Sequence, residues 1–337
     1  MGGLALEPVT FRVLLSAPNE KPWSFGGHLY VALGSIGHDV ELFDYRSSPD
    51  PDSELLRTAE TYRPGLHIAW KGELYHPHTF RALAARGIYN VLWHPDISVP
   101  HWLPPLARAS DLCCVQSRGM LARFRAAGIN DPQWLMEGIT PSYYSFESMT
   151  PGEELEYSCD VVLIGTVGHP REYRPRLVAL NRLAREGVKI RWWGPRIPRR
   201  LNMLFDRLSP AGRAWGGRRV WNESYSKACR AAKICLTLPG HPEAEGGLSS
   251  GAFMATGVGA FLLSLYRKGM EEFFDLGKEV VVFKSEAEMV EKVHYYLEHD
   301  TERAAVAKAG QQRTLDNHTN QHAFRRLFEL IATRRAS

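Results

Sequence analysis

The chain has 337 residues, 44% of them apolar and 23% charged, a globular composition too long for one hydrophobic core and suited to two domains. The longest apolar run, 258–265, is far short of the ~20 residues that cross a bilayer, which excludes membrane insertion as an expectation. Net charge is only +4 but divided unevenly: residues 1–150 hold 12 Lys+Arg against 15 Asp+Glu, and residues 151–337 hold 29 against 22, which suits either an anionic ligand in the second half or a solvated basic surface.

Strand-then-helix units fill the first half. FRVLLSA at 11–17 reads as a buried strand, followed by a Pro/Gly-rich loop to 27 and a helix with Leu29, Leu33 and Ile36 on one face, stopped by Gly37. Strands are expected at 40–43, 66–70, 89–93 and 112–115, with helices near 79–86 and 119–127. Such alternation implies a parallel sheet covered on both faces, whose ligands gather at the carboxyl ends of the strands. The loops of interest are therefore 17–27, 71–76, 94–100 and 116–117.

From 137 to 158 the pattern lapses into polar, Pro/Gly-containing sequence, the best place for a domain boundary. Alternation then resumes: strand 160–165, helix 174–186, strands 189–193 and 232–238, a short helix after Ser249, strands 259–263 and 279–283. Ser285 with Glu288 reads as a capping box, with Met289, Val290, Val293 and Leu297 on one helical face. Helices near 302–314 and 319–334 close the chain. Five cysteines, Cys113, Cys114, Cys159, Cys229 and Cys235, lack CxxC spacing and form an odd set, so reduced core thiols and a cytoplasmic setting are expected. No targeting segment is expected from MGGLALEPVTF, and Leu6 stands where a myristoylation signal wants Ser or Thr.

Glycine after a strand, followed by a helix carrying cations, can grip phosphate. Gly165, Thr166, Val167, Gly168, His169, Pro170 and Arg171 supply that order, the small residues admitting a close backbone and Arg171 a planar fork of donors; a simple tight turn is the plain alternative. In Trp192-Trp193-Gly194-Pro195 a ring at the strand end can stack on a nucleobase or pack beneath a helix. His241, Glu243, Glu245, Gly246 and Gly247 lead to Ser249, Ser250 and Gly251, where amides and hydroxyls at a helix start can hold two phosphates or merely cap the helix.

Leu248 to Leu263 with EEFFDLGKEVVVF, the helix from SEAEMVEKV onward, CDVVLIGTVGHPR and YSKACRAAKICLTL together resemble the CgeB-like (spore-maturation-type) glycosyltransferases, with a group 1 glycosyltransferase-like C-terminal domain. IAWKG, NVLWHPD and DLCCVQSRGMLARFRAAG extend the likeness over about residues 11–330. The resemblance implies an α/β GT-B fold of two Rossmann-like domains with parallel sheets facing across a cleft. It divides the chain into an acceptor domain at 1–140, a linker at 141–158, a nucleotide-sugar domain at 159–318 and a helix at 319–337 crossing back to the first domain. One departure stands out: where the family has Arg-x-Phe-Glu-Ala, this chain reads Gly251-Ala252-Phe253-Met254-Ala255. Met254 cannot accept the ribose hydrogen bond that the glutamate resembles. Either the donor is held differently, as a 2′-deoxyribose would allow, or binding is lost.

The resemblance implies transfer of a hexose or pentose from a nucleoside-diphosphate sugar to an unidentified acceptor; modified DNA as acceptor would reconcile that activity with the basic, aromatic-interleaved segment 188–219. Leaving-group stabilisation falls to Arg171, the Ser249/Ser250 helix start and Lys71, with donor contacts from Gly165, Thr166, Trp193, Gly194, Pro195, His241, Gly247 and Gly251. His94 and Asp96 are the candidate bases, against surface imidazole and turn-capping roles. No metal and no cofactor are expected: Asp50-Pro51-Asp52 reads as helix capping, and His318 and His322 have no third ligand nearby. Residues 188–219 hold nine Lys+Arg and one acid, Asp206, with Trp192, Trp193, Phe205 and Trp215 interleaved, which reads as a solvated face, a surface steering an anionic donor, or a nucleic-acid track. The alternatives from other classes are a non-catalytic GT-B-like binding or structural protein and a nucleic-acid-binding module. Oligomeric state is open.

Overall fold

The computed structural model describes residues 10–238, 248 and 250–336, and these form two compact units. The first comprises the chain to Thr140 plus the last helix, Asn320–Ala336. Its sheet contains β1 (Arg12–Ser16), β2 (Asp39–Phe43), β3 (Leu66–Trp70), β4 (Tyr89–His94), β5 (Leu112–Val115) and β6 (Gln133–Trp134). All pair in parallel, in the order β2-β1-β3-β4-β5-β6.

Alternation along β1 explains the two cores of this unit. Val13 and Leu15 point to one face, where Leu29 and Leu33 of the helix Gly26–Ser35 meet them. Leu14 points to the other, beneath Leu55, Phe80 and Leu83. The last helix completes the first of these faces: Phe324, Leu327 and Ile331 are buried there, and Phe324 meets Trp93 edge-on with ring centroids 5.7 Å apart. Asn320 anchors its start, its side chain accepting from the Gly138 amide (3.0 Å) and donating to Thr140 Oγ1 (2.8 Å), while its own amide donates to the Ile139 carbonyl (2.9 Å).

The second unit runs from Pro141 to Thr319, so the stretch expected as a linker, 141–158, is built into it. There Thr150 and Glu153 cap the helix Pro151–Tyr157 reciprocally, Tyr157 is buried, and Lys227 pairs with Glu153 at 2.7 Å. The sheet contains β7 (Cys159–Ile164), β8 (Ile190–Trp193), β9 (Ala232–Thr237), β10 (Leu262–Leu265) and β11 (Val281–Phe283). They pair in parallel in the order β11-β10-β9-β7-β8. β10 begins three residues later than the sequence suggests because Gly259, at φ 81°, ends the preceding helix by donating back to the Thr256 carbonyl (2.8 Å).

In both sheets the chain starts in the interior and winds outward in two directions, so the strand order reverses between β1 and β3 in the first unit and between β9 and β7 in the second. At such a reversal the loops leave to opposite faces and open a crevice at the carboxyl ends. No helix among the described residues is long and apolar enough to cross a membrane.

Candidate functional site

In the second unit the crevice is framed by the ends of β7 and β9. A side chain at Gly194 would place its Cβ 2.1 Å from the Gly165 carbonyl oxygen, so this approach of strand ends demands glycine. The Gly165 amide, however, donates to the Trp193 carbonyl (2.8 Å) and that of Gly194 to the Arg218 carbonyl (3.2 Å). These amides are spent inside the protein and cannot serve a ligand as the motif suggests. The Thr166 and Val167 amides donate to no described residue; Thr166 is half-buried and Val167 is buried.

Arg176, which sequence reasoning missed, ties the crevice together. From the helix Arg174–Arg185 it donates Nε to the Leu238 carbonyl (2.7 Å) and Nη1 to the Thr166 carbonyl (2.9 Å), joining the ends of β9 and β7. Its guanidinium lies 4.7 Å from the Tyr173 ring centroid and has no carboxylate partner among the described residues; desolvation holds it below its ordinary value. Arg171 is exposed and likewise forms no ion pair among the described residues. Nearby, Thr237 Oγ1 is buried at the end of β9 with no hydrogen bond from them.

Trp193 does not face a ligand. It is 0% exposed, packed against Tyr157 at 5.1 Å between centroids, and a Cβ on Gly216 would fall 2.4 Å from its ring. Stacking on a nucleobase is therefore closed to it, because the chain after β8 folds back over the indole through the bridge of Trp192 with Trp215. Pro195 beside it is half-buried.

The helix Ser250–Gly257 follows β9 and is fixed from behind: Thr256 and Thr314 share a hydroxyl contact of 2.6 Å, and Phe253 stacks on His318 at 4.6 Å. His318 Nε2 is engaged by the Phe273 carbonyl (2.9 Å). Ser250, Gly251 and Met254 are half-buried, while Ala252, Phe253 and Ala255 are buried. His241, Gly247 and Ser249, with the neighbouring Glu243, Glu245 and Gly246, lie outside the described residues.

A cavity of about 550 Å³ opens beside this crevice, lined by Arg171, Leu238, Leu265, Phe283, Lys284 and Met289 among others. Its walls come from the ends of β9, β10 and β11, and Arg171 connects it to the β7 loop.

In the first unit the structure brings two predicted residues together. Lys71, after β3, and Asp96, after β4, form an ion pair of 2.9 Å. Lys71 has φ 70° and Gly72 φ 85°; a left-handed lysine costs on the order of 1 kcal/mol, a strain that such turns retain at functional sites. The turn is held by Tyr45, whose hydroxyl accepts from the Gly72 amide (3.3 Å) and donates to Glu73 Oε2 (2.6 Å), while Arg46 Nε donates to Glu73 Oε1 (2.7 Å). Burial, then the Glu73 charge, pushes the Tyr45 phenol far up.

His94 is corrected. It is 1% exposed, its Nε2 engaged by the Ser98 carbonyl (2.9 Å) and its ring set against Trp102 and Phe124. Desolvation lowers its proton affinity, and its Nδ1 is buried without a hydrogen bond from any described residue. Asp96 remains half open to solvent. Asp50 caps the helix Pro51–Tyr62 through the Ser53 amide (3.2 Å), and Asp52 accepts from the His76 amide (3.1 Å) and the Thr79 hydroxyl (2.5 Å).

A family model described as glycosyl transferase-like matches residues 171–329. No curated protein matches the sequence. Among solved structures, the chain is similar to HepE of Anabaena in complex with UDP-glucose (13% identity, 96% of this chain and 100% of that one, TM-score 0.63). It is also similar to a glycosyltransferase from Rickettsia africae (9%, 97% and 99%, 0.64) and to AviGT4, a glycosyltransferase involved in avilamycin A biosynthesis (16%, 97% and 99%, 0.64). The chain has the GT-B fold. In GT-B terms the family match spans the loop carrying Arg171, Arg176, the Ser250 helix and the helix that returns to the first unit.

Proposed function

We propose that this GT-B chain is a glycosyltransferase that takes its sugar from a nucleoside diphosphate held in the second unit. The observation that carries the reading is the pair Arg171 and Arg176, two cations without carboxylate partners among the described residues, at the reversal between β9 and β7. The matched family model and the UDP-sugar complex of HepE support it. The diphosphate takes the Thr166 amide and the Arg171 fork, and Arg176 adds a fixed positive charge whose attraction grows as negative charge develops on the leaving oxygen. Two such cations supply the charge neutralisation that a divalent ion gives elsewhere, so donor binding without metal is part of the proposal.

In the reaction the anomeric carbon–oxygen bond to the diphosphate breaks, an acceptor hydroxyl forms the new glycosidic bond, and its proton passes to a base. Asp96 takes that role in the proposal, with Lys71 orienting its carboxylate. Met254 and Gly251, standing where similar proteins carry glutamate and arginine, favour a second reading: a GT-B protein that binds without catalysis.

A thermal-shift panel of uridine, thymidine, guanosine and adenosine diphosphates, each with magnesium and with EDTA, tests the donor site. Stabilisation by one base that survives EDTA is expected, and Arg171→Ala should weaken that ligand roughly ten-fold or more. Nucleotide affinity untouched by Arg171→Ala rejects the site. Turnover of the matching nucleotide sugar separates the enzyme from the silent binder.

A further inference from the structure

Between β8 and the helix Asn222–Ala231, a 3-10 turn (Leu201–Met203) runs directly into the helix Leu204–Leu208. Its inner side is occupied: Met203 packs on the core of the second unit, and Asp206 pairs with Arg174 at 2.7 Å. Its outer side carries Leu201, Leu204, Phe205 and Leu208 at 90%, 45%, 84% and 58% exposure. Leu204, Phe205 and Leu208 fall on one side of this short helix, and Leu201 sits on the 3-10 turn that leads into it. Single exposed leucines are ordinary, but four such residues so close in the chain are not.

Cations adjoin these residues in the chain. Arg196, Arg199 and Arg200 are exposed, Arg207 is half-buried, and none pairs with a carboxylate among the described residues. They crowd one another: desolvation, then Arg196 and Arg199, push Arg207 below its ordinary value.

We infer that this face docks on an anionic lipid surface, with the four apolar side chains entering the acyl boundary and the arginines meeting headgroup phosphates. An apolar helical face with arginines beside it in the chain is the arrangement an interfacial helix needs, and it requires no spanning segment. A nucleic-acid track is less well served, because stacking needs open aromatic planes. Trp192 and Trp193 are 0% exposed, and Trp215 is half-buried, donates to the Gly194 carbonyl (3.0 Å) and lies under Arg196, which leaves Phe205 alone. A second copy docking face to face would set arginine against arginine.

The purified full chain is mixed with vesicles of phosphatidylcholine alone and with vesicles in which a third of the lipid is phosphatidylglycerol, and bound protein is recovered by flotation. Recovery with the anionic vesicles only, reduced at high salt, is expected. Leu201→Ser with Phe205→Ser should lower it roughly ten-fold or more, and Arg199→Gln with Arg200→Gln by a similar factor, at about five-fold for each arginine near the surface. All four side chains face solvent, so the thermal midpoint should hold, and the two variant pairs test the face independently. No recovery with either vesicle, equal recovery with neutral vesicles, or variants that float like the parent would overturn the inference. Binding of a single-stranded oligonucleotide without vesicle recovery would assign the face to nucleic acid instead.

Discussion

Arg176 shows how a cation that ties two strand ends hides in a sequence. Its partners are carbonyls ten residues before it and 62 residues after it, and backbone acceptors leave no trace in side-chain identity. Replacing it by lysine keeps the charge but loses the fork that reaches both strands, so Arg176→Lys should cost about 1–2 kcal/mol in urea unfolding and loosen nucleotide binding as well. Lys71 directly follows β3 and Asp96 lies two residues past β4, and it is this position at strand ends, where α/β sheets carry chemistry, that singles them out in the sequence. Asp96→Asn should lower turnover by roughly two orders of magnitude with nucleotide affinity unchanged, a split readable by comparing single-turnover rates with thermal shifts. Trp193 and His94 also sit at strand ends, yet the structure buries both. Alternation tells which face a strand residue takes, not whether Gly216 or Trp102 will later close over it.

Strands were the readable elements, since buried parallel strands run as unbroken apolar segments. What links them was less so. Ser16, His67 and Asn90, on the adjacent strands β1, β3 and β4, are each 0% exposed and joined in line: Ser16 Oγ to His67 Nε2 at 2.7 Å, His67 Nδ1 to Asn90 Oδ1 at 3.0 Å. Asn90 Nδ2 donates to the Phe80 and Ile88 carbonyls, which leaves Oδ1 to accept from Nδ1–H and makes Nε2 the acceptor for the serine. Such a trio can activate a nucleophile when exposed; here burial makes it a tie between strands. Burial also pushes His67 down from 6.5 to about 4. Above pH 6.5 neither folded nor unfolded histidine holds the extra proton and nothing is lost. Below it the unfolded chain takes up a proton that the fold refuses, so stability falls as pH drops toward 4, by about 3 kcal/mol from this group alone. Urea titrations at pH 7 and 4.5 should show the loss, and His67→Phe should flatten that part of the slope while lowering stability at pH 7.

At the scale of the whole molecule, the first unit is discontinuous. Phe324, Leu327 and Ile331 contribute to its core from the far end of the chain; at about 1.5–3 kcal/mol for each buried side chain, their sum approaches the entire stability of an ordinary domain. Phe324→Ala should cost about 3–5 kcal/mol in unfolding experiments. A chain ending at residue 319 should lose its protease-resistant first unit altogether, which limited proteolysis would show. The helix pattern at 319–334 was plain in the sequence, but its address came from the family resemblance alone: an amphipathic stripe says that a helix packs, not on which sheet.

That address has a consequence for biosynthesis. A nascent chain emerges from the ribosome amino end first, at about 5–20 residues per second, yet the strands that begin at Arg12 wait for a helix that begins only at Asn320. Until residues 324–331 have left the ribosome an oily groove beside Trp93 stays uncovered, so a frameshift just before that helix should be as damaging to the first unit as one before its first strand.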